Sequence, residues 1–172
     1  MPKLTTGPDP HPKKPKLKAP PNACDTHIHL FGPAAKYPFA PDSPYIAHDA
    51  LPETFFGLQD KLGMSTGVIV SPGGYGRNHS MLADVLAKYP KRFRGIGLVR
   101  DDIPNAELSR LTRLGVRGMR MMSHARGQHV PNYSPKIAAR VHELHGDQAQ
   151  SFLFKTLNQY ADEAALHAIG FE

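Results

Sequence analysis

The stretch Asp25-Thr26-His27-Ile28-His29 is the most informative part of the chain. It lies within residues 23–31, whose pattern predicts a β-strand, and side chains alternate between the two faces of a strand. Asp25, His27 and His29 are therefore expected on one face, with apolar side chains on the other. In a β/α barrel, the apolar face would pack against the helices. The polar face would line the interior near the mouth, where such barrels carry out their chemistry.

Two imidazoles at positions i and i+2 can hold one divalent ion such as zinc. The chain has 10 histidines, so this spacing also arises by chance, and two strand-end histidines with only local hydrogen bonds remain an alternative. The long loop that follows the strand favours the functional interpretation. We therefore treat His27 and His29 as candidate catalytic residues. They are also candidate ligands of one metal ion, with no bound metal as the other expectation.

Strands and helices alternate downstream of this strand. The predicted strands cover residues 23–31, 66–71, 93–99 and 116–122, and the predicted helices cover residues 52–61, 78–88, 105–114 and 134–144. Such alternation predicts parallel βαβ units. Four βα units make half of an eight-stranded barrel, which typically needs about 250 residues. The predicted fold class is therefore α/β and TIM-barrel-like, as a truncated barrel of about four βα units.

The predicted helices also carry start signals. Pro52 is allowed in the first turn of its helix, and Asn105 is expected to act as an N-cap. Ser134 and Pro135 are expected to be the cap and the first helical residue of the last predicted helix. These signals place the helix starts close to the ends of the loops between the elements.

The two ends of the chain differ from the repeating region. Residues 1–21 are rich in Pro and Lys and are predicted to form an extended or disordered arm. Their five lysines and one aspartate contribute +4 of the net charge of +6, so the rest of the chain is nearly balanced. This distribution argues against a nucleic-acid-binding face. Residues 22–145 are predicted to form the partial barrel, and residues 146–172 an atypical helical tail.

Composition also bears on the compartment. No run approaches the roughly 18 apolar residues of a membrane span, and no apolar segment typical of a secretory signal is seen near Met1. Cys24 is the single cysteine, which excludes an intrachain disulfide. These features fit a reducing compartment, and we expect a cytoplasmic protein that does not bind membranes.

A longer run of sequence resembles a known family. Residues 22–33 read Asn-Ala-Cys-Asp-Thr-His-Ile-His-Leu-Phe-Gly-Pro, followed by Tyr37-Pro38-Phe39 and Pro41-Asp42-Ser43-Pro44-Tyr45. This run resembles the start of amidohydrolase-related proteins, and most of all the 2-pyrone-4,6-dicarboxylate lactonases. The resemblance extends to about Leu144. It implies a distorted β/α barrel of the metal-dependent-hydrolase type and the hydrolysis of a cyclic ester that carries carboxylates.

The resemblance also implies roles for individual residues. His27 and His29 match the first-strand histidine pair, which binds a metal in the wider superfamily. In the lactonase branch, the pair can polarise the lactone carbonyl without a metal. Tyr45 matches a loop tyrosine near the substrate, and Ser71 matches a substrate-binding serine.

Two arginines match the residues that hold the substrate carboxylates in the family, namely Arg120 and Arg126. Their positions agree with this role, because Arg120 lies in the fourth predicted strand and Arg126 in the loop after it. Guanidinium groups bind carboxylates with two parallel hydrogen bonds. Strand-end arginines are also often only solvated, and that alternative stays open.

The glycine-rich segment after the second predicted strand offers weaker candidates. Gly73, Gly74 and Gly76 would let the main chain approach a ligand closely, or they only form a turn. Arg77 and Asn78 are further polar candidates in the same segment.

Part of the family pattern cannot be placed in this chain. The pattern calls for a histidine on a later strand and a final aspartate that activates water. His142 and His145 lie on or after a helix, and Asp162 and Glu163 lie in the tail. Loss of a general base typically costs about 10²–10⁴ in rate.

Three interpretations follow from this incomplete pattern. The first is a hydrolase that opens a small carboxylate-bearing lactone, with the missing base supplied by a partner subunit of a homo-oligomer. The second is a metal-dependent decarboxylase of the same superfamily. The third is a truncated, non-catalytic fragment.

Overall fold

The computed structural model describes residues 2–120 and positions 136, 137, 139, 140 and 143. In chain order the elements are β1 (Lys3–Leu4), β2 (Cys24–Ile28), β3 (Tyr45–Ile46), α1 (Pro52–Leu62), β4 (Thr66–Val70), a 3₁₀ turn (Gly73–Tyr75), α2 (Ser80–Lys88), β5 (Phe93–Gly97), α3 (Asn105–Leu114) and β6 (Val116–Met119). The predicted order of strands and helices is confirmed over these residues, with small differences at the ends of the elements. The described positions between 136 and 143 are helical, as predicted for the fourth helix.

The main sheet has four strands in the order β2-β4-β5-β6, and all neighbouring strands run parallel. Spatial order follows chain order, and α1, α2 and α3 each lie between successive strands along the chain. Parallel neighbours need such crossover connections, because the chain must return to the starting edge of the sheet before the next strand begins. The carboxyl ends of the four strands consequently lie along the same edge of the sheet.

One face of the sheet carries the helices. Phe93 on β5 packs against Phe55 and Phe56 of α1, with ring centroids 6.2 and 5.9 Å apart. Two residues further along the same face, a Cβ atom on Gly95 would lie 2.8 Å from the side chain of Leu86 on α2. Only a residue without a side chain lets α2 approach the sheet so closely. Both helices therefore pack on the same face of β5.

The start of β2 departs from the regular alternation that the sequence predicts. The pairing register of β2 against β4 shifts by one residue between Asp25 and Ile28. The carboxylate of Asp25 accepts the main-chain N–H of His27 at 3.2 Å. Because a one-residue shift changes which face a side chain occupies, the expectation that Asp25 shares a face with both histidines loses its basis.

The prediction that Asn105 caps α3 is wrong. Asn105 is the first residue of the helix, and Pro104 occupies the cap position without a side-chain hydrogen bond. The side-chain oxygen of Asn105 instead accepts a hydrogen bond of 2.6 Å from Arg140. The expected cap Ser134 and first helical residue Pro135 lie outside the described residues.

The N-terminal arm is mostly exposed along its length. Its strand β1 pairs in parallel with β3, so that Lys3 is in register with Tyr45 and Leu4 with Ile46. This second, two-stranded sheet was not predicted. Whether the rest of the arm is disordered in solution stays a prediction.

Among the described helices, none combines the length and the apolar character that crossing a bilayer requires.

Candidate active site

The candidate site lies at the carboxyl ends of the main-sheet strands. Ile28 and Leu30 are buried in the core cluster, whereas His27 and His29 are exposed. The end of β2 therefore alternates as predicted, with apolar side chains toward the core and both imidazoles away from it. His27 and His29 lie next to each other, with ring centroids 5.0 Å apart and nearly perpendicular planes.

The imidazole of His29 is oriented by the neighbouring strand. Its Nδ1 lies 2.8 Å from the main-chain oxygen of Val70 at the end of β4. A carbonyl oxygen only accepts, so Nδ1 carries the proton and the neutral ring has its lone pair on Nε2. Although His29 is exposed as a whole residue, its ring is partly buried where it meets Val70. The pKa of His29 is lowered, chiefly because surrounding protein displaces water from the ring, and further by the charges of Arg120 and His27. His29 is therefore neutral at pH 7, with Nε2 available as an acceptor.

His27 and His29 provide two of the ligands that a metal site needs. A catalytic zinc site usually has three protein ligands and a structural one has four. Among the described residues, no three His, Cys, Asp or Glu side chains are grouped closely enough to hold a metal ion. The described part of the chain thus fits a two-ligand fragment of such a site and not a full zinc site.

Arg120 follows β6 directly and reaches back across the sheet. Its main-chain N–H donates to Gly97 at the end of β5 with a distance of 2.7 Å, and its Nη1 donates to the main-chain oxygen of Ser71 at 2.9 Å. Burial lowers the pKa of Arg120, and the interaction with Tyr45 acts in the opposite direction. An arginine still keeps its charge at neutral pH. A half-buried cation is therefore placed close to His29 and Tyr45.

Ser71 is buried at the end of β4. Its carbonyl oxygen holds the Arg120 guanidinium, and its main-chain N–H donates to Ile96 at 2.8 Å. Within the described part of the chain, the hydroxyl of Ser71 makes no hydrogen bond. The structure thus brings Ser71 next to Arg120 through the main chain, while a substrate-binding role for its side chain stays a prediction.

Tyr45 is attached to the turn that follows β4. Its hydroxyl accepts the main-chain N–H of Gly74 at 3.0 Å. A Cβ atom on Gly74 would lie 3.0 Å from the rings of both Phe39 and Tyr45. The absence of a side chain at Gly74 therefore allows the loop with Tyr45 to rest directly on the turn.

Sequence reasoning missed an aromatic cluster that forms one wall of the site. Phe31, Phe39, Tyr45 and Tyr75 contact one another, with ring centroids between 5.1 and 6.4 Å apart. Tyr75 also accepts the main-chain N–H of Gly32 at 2.8 Å, which joins the loop after β2 to the turn after β4. The density of aromatic residues between 31 and 45 was the available signal, but it does not show which rings meet.

The other polar candidates are not brought to the site. Arg77 forms an exposed ion pair of 2.7 Å with Asp102. Asn78 accepts the main-chain N–H of Ser80 at the start of α2. Gly76 has a φ of 55° and ends the 3₁₀ turn, so its role there is conformational. Arg126 lies outside the described residues, and its role in carboxylate binding stays a prediction.

A separate groove of about 580 Å³ lies between the loop after β2 and the helices α1 and α2. Its charged side chains are paired with one another: Lys36 contacts Asp84 at 2.7 Å, and Lys88 contacts Glu53 at 3.0 Å. Because these four side chains neutralise one another in pairs, they do not attract a charged ligand to the groove. It lies on the helix side of the sheet and does not include the histidines or Arg120.

Comparison with known proteins agrees with this arrangement. The family model described as Amidohydrolase matches residues 24–146. The chain is 34% identical over 139 residues to a 2-pyrone-4,6-dicarboxylate hydrolase of Comamonas testosteroni. This alignment covers 78% of this chain and 45% of that protein. It is 37% identical over 101 residues to a 4-sulfomuconolactone hydrolase of Rhizobium radiobacter, covering 59% of this chain and 34% of that protein.

A solved structure supports the same fold. An apo crystal structure from Agrobacterium tumefaciens superposes with a TM-score of 0.64 at 23% identity, over 75% of this chain and 47% of that one. The chain thus spans less than half the length of these relatives, and its βα units correspond to part of an amidohydrolase-type barrel. The family match over residues 24–146, together with the arrangement of strands and site residues, shows that the chain belongs to the amidohydrolase family.

Proposed function

We propose that the described site binds the carboxylates of a small anionic lactone and contributes to the hydrolysis of its ring ester. The observation that carries this proposal is the half-buried guanidinium of Arg120, which Ser71 holds at the carboxyl edge of the sheet beside His29. Relatives of this chain are named as hydrolases of carboxylated or sulfonated lactones. A fixed cation at this edge suits a ligand that carries an anionic group.

Arg120 is the residue to which we assign carboxylate binding. Its guanidinium has five N–H donors, and the hydrogen bond to Ser71 uses one of them. A guanidinium can pair with a carboxylate through charged hydrogen bonds, which are roughly twice as strong as neutral ones. Its partial burial strengthens this attraction, because fewer water molecules screen the charge.

The two histidines are assigned different parts of the chemistry. Hydrolysis adds water across the ring ester: the water oxygen bonds to the carbonyl carbon, the ring C–O bond breaks, and the leaving oxygen takes up a proton. The free lone pair on Nε2 of His29 can accept a hydrogen bond or a proton from that water. Because Nδ1 of His29 already donates to Val70, we assign polarisation of the lactone carbonyl to His27. The ring of His27 makes no hydrogen bond within the described residues.

A divalent ion remains a proposal for the same two residues. The imidazoles of His27 and His29 are close enough to contribute two nitrogen ligands, and a bound ion would supply Lewis-acid activation. The described residues do not complete a ligand set, so we derive no step through a metal. Stoichiometric zinc in the purified protein would favour the metal-dependent alternative, including a decarboxylase.

The test is calorimetric titration of the chain with 2-pyrone-4,6-dicarboxylate. We expect wild-type binding and a loss of roughly 10- to 150-fold in affinity for Arg120→Ala, because a hydrogen bond to a charged group is worth about 1.5–3 kcal/mol. Arg117→Ala is the matched control. It removes the same charge three residues earlier in the chain, but Arg117 lies on β6 and donates to the carbonyls of Thr112 and Val116, at the other end of the strand from Arg120.

Two outcomes would contradict the proposal. Absence of binding to the wild-type chain would exclude the assigned carboxylate site. Equal losses in Arg120→Ala and Arg117→Ala would show that only the overall positive charge matters. Once binding is established, an assay would decide whether the chain also catalyses hydrolysis. The assay monitors formation of the ring-opened acid through the loss of pyrone absorbance.

A further inference from the structure

The small sheet formed by the N-terminal arm contacts the loop that carries Tyr45. The main-chain N–H of Lys3 donates to Pro44 at 3.2 Å, and that of Thr5 donates to Ile46 at 2.9 Å. The two acceptors lie on either side of Tyr45, which is in register with Lys3. The arm therefore holds the main chain immediately before and after this candidate site residue.

From Tyr45 the contacts continue to the turn after β4. The hydroxyl of Tyr45 accepts the N–H of Gly74, and the N–H of Ala40 donates to the carbonyl of Gly74 at 2.8 Å. Both bonds are made by the same loop, so the position of Gly74 and the position of Tyr45 depend on each other. Gly74 is only three residues beyond Ser71, whose carbonyl holds Arg120.

The loop has little regular structure of its own. Between Phe31 and Ala50, its described strand is the two-residue β3, and within the described part of the chain β1 is the one strand that pairs with β3. A segment without such pairing samples many conformations, and each fixed residue costs conformational entropy. The hydrogen bonds to β1 offset part of that cost.

We propose that β1 is a positioning element for the candidate site. By fixing β3, it keeps the Tyr45 hydroxyl on Gly74 and beside Arg120, and it thereby raises the affinity of the site for an anionic ligand. The effect on ligand affinity rests on the proposed function above, whereas the positioning of Tyr45 does not. Lys3 and Thr5 act through their main-chain N–H groups and contact no ligand.

The positioning is tested by amide hydrogen exchange at Gly74, followed by NMR. Proline has no N–H, so Thr5→Pro removes the bond to Ile46, and Lys3→Pro independently removes the bond to Pro44. Thr6→Pro is the matched control, because Thr6 is exposed and its N–H makes no hydrogen bond within the described residues. All three positions lie in or beside an extended strand, and extended backbone is compatible with the fixed φ of proline.

We expect exchange at Gly74 to be about 2- to 10-fold faster in Thr5→Pro and Lys3→Pro than in wild type, as the loss of one hydrogen bond implies. Thr6→Pro should exchange like wild type. Tyr45→Phe, which removes the acceptor itself, sets the upper limit of the effect. Unchanged amide shifts in β4 and β5 would show that each variant is folded. Equal exchange at Gly74 in wild type, Thr5→Pro and Lys3→Pro would overturn the positioning role.

The effect on the ligand is tested with 2-pyrone-4,6-dicarboxylate as the probe. Calorimetric titration should give a Kd for Thr5→Pro that is about 2- to 10-fold higher than that of Thr6→Pro. Faster exchange at Gly74 with an unchanged Kd would overturn the link between β1 and ligand affinity. Absence of binding to wild type would contradict the proposed function, and the exchange data would still decide whether β1 positions Tyr45.

Discussion

At the scale of single residues, the end of β4 orients two candidates of the site, the neutral imidazole of His29 and the charged guanidinium of Arg120. The carbonyl of Val70 accepts from His29, and the next carbonyl, that of Ser71, accepts from Arg120. Successive carbonyls of an extended strand point in opposite directions. Two adjacent residues can therefore hold side chains that come from β2 on one side and from β6 on the other. We consider this main-chain arrangement the basis of the site geometry.

Gly74 gives a prediction at the same scale. In Gly74→Ala, the new Cβ would meet the rings of Phe39 and Tyr45 at 3.0 Å, so the loop must move away. Overpacking of this kind typically costs about 1–3 kcal/mol. We expect the free energy of unfolding, measured by urea denaturation, to fall by that amount, together with weaker dicarboxylate binding.

The matched control for this substitution is Gly57→Ala in the middle of α1. A Cβ atom on Gly57 would meet nothing within 4 Å, and alanine is favoured over glycine in a helix by about 1 kcal/mol. Gly57→Ala should therefore be neutral or stabilising. If Gly74→Ala leaves both stability and binding unchanged, the close approach of the loop to the turn is not as the structure describes it.

The candidate residues were predictable from the sequence to different degrees. The spacing of His27 and His29 on a strand was sufficient to place them together, and the resemblance placed Tyr45 and Arg120 near them. The role of Val70 was not predictable, because a main-chain carbonyl leaves no mark in residue type. Gly74 was expected to allow a close approach or to form a turn, but the sequence did not reveal that the rings of Phe39 and Tyr45 make that approach. The register shift in β2, which removes the basis for placing Asp25 on the face of the histidines, is not visible in an alternating pattern.

At the scale of elements, α2 is joined to the loop after β5 through a buried histidine. His79 is 8% exposed, and its Nε2 donates to the carbonyl of Leu98 at 3.0 Å. Its Nδ1 lies 3.9 Å from a carboxylate oxygen of Glu107 on α3, which also pairs with Arg110. The elements on the helix side of β5 therefore meet around one titratable group.

Burial lowers the pKa of His79 below its ordinary value of 6.5, although the Leu98 carbonyl and Glu107 act in the opposite direction. Below pH 6.5 the unfolded chain binds a proton at this residue that the folded chain does not bind. The contribution of His79 to the free energy of unfolding should therefore be fully present above pH 6.5. The free energy of unfolding should decrease as the pH falls from 6.5 toward the pKa of His79 in the folded chain, by at most about 1.4 kcal/mol per pH unit.

Denaturation at a series of pH values checks this prediction. His79→Gln keeps a donor for Leu98 but does not titrate, so its stability should depend less steeply on pH than that of wild type. His11→Gln, which changes an exposed histidine in the arm, should retain the wild-type slope. An identical slope in His79→Gln and wild type would show that His79 does not contribute.

The elements themselves were largely predictable, because β4 and β5 are short apolar or small-residue runs between amphipathic helices. The pairing of β1 with β3 was not predictable. Each strand has only two residues, and they lie about 40 positions apart in the chain, so no local pattern signals that they meet. The cap of α3 was mispredicted because the side chain of Asn105 binds Arg140, a partner that sequence alone does not reveal.

At the scale of the whole molecule, the described sheet corresponds to part of an amidohydrolase-type barrel, and the chain spans less than half the length of its relatives. The site residues that the structure describes come from the ends of β2, β4 and β6 and from the loop with β3. We propose that they bind and orient an anion, while the aspartate that activates water in the family pattern has no counterpart among the predicted site residues. Binding is therefore a more direct test of this account than turnover.

The measurement that tests the account most directly is an NMR titration of the assigned, labelled chain with 2-pyrone-4,6-dicarboxylate. We predict that the amide signals of His29, Ser71 and Arg120 shift together and follow a single binding curve, because one ligand would contact all three strand ends. Shifts confined to residues 13–18, where the lysines of the arm would attract any anion, would contradict the account. The absence of any shift at millimolar ligand would contradict it as well.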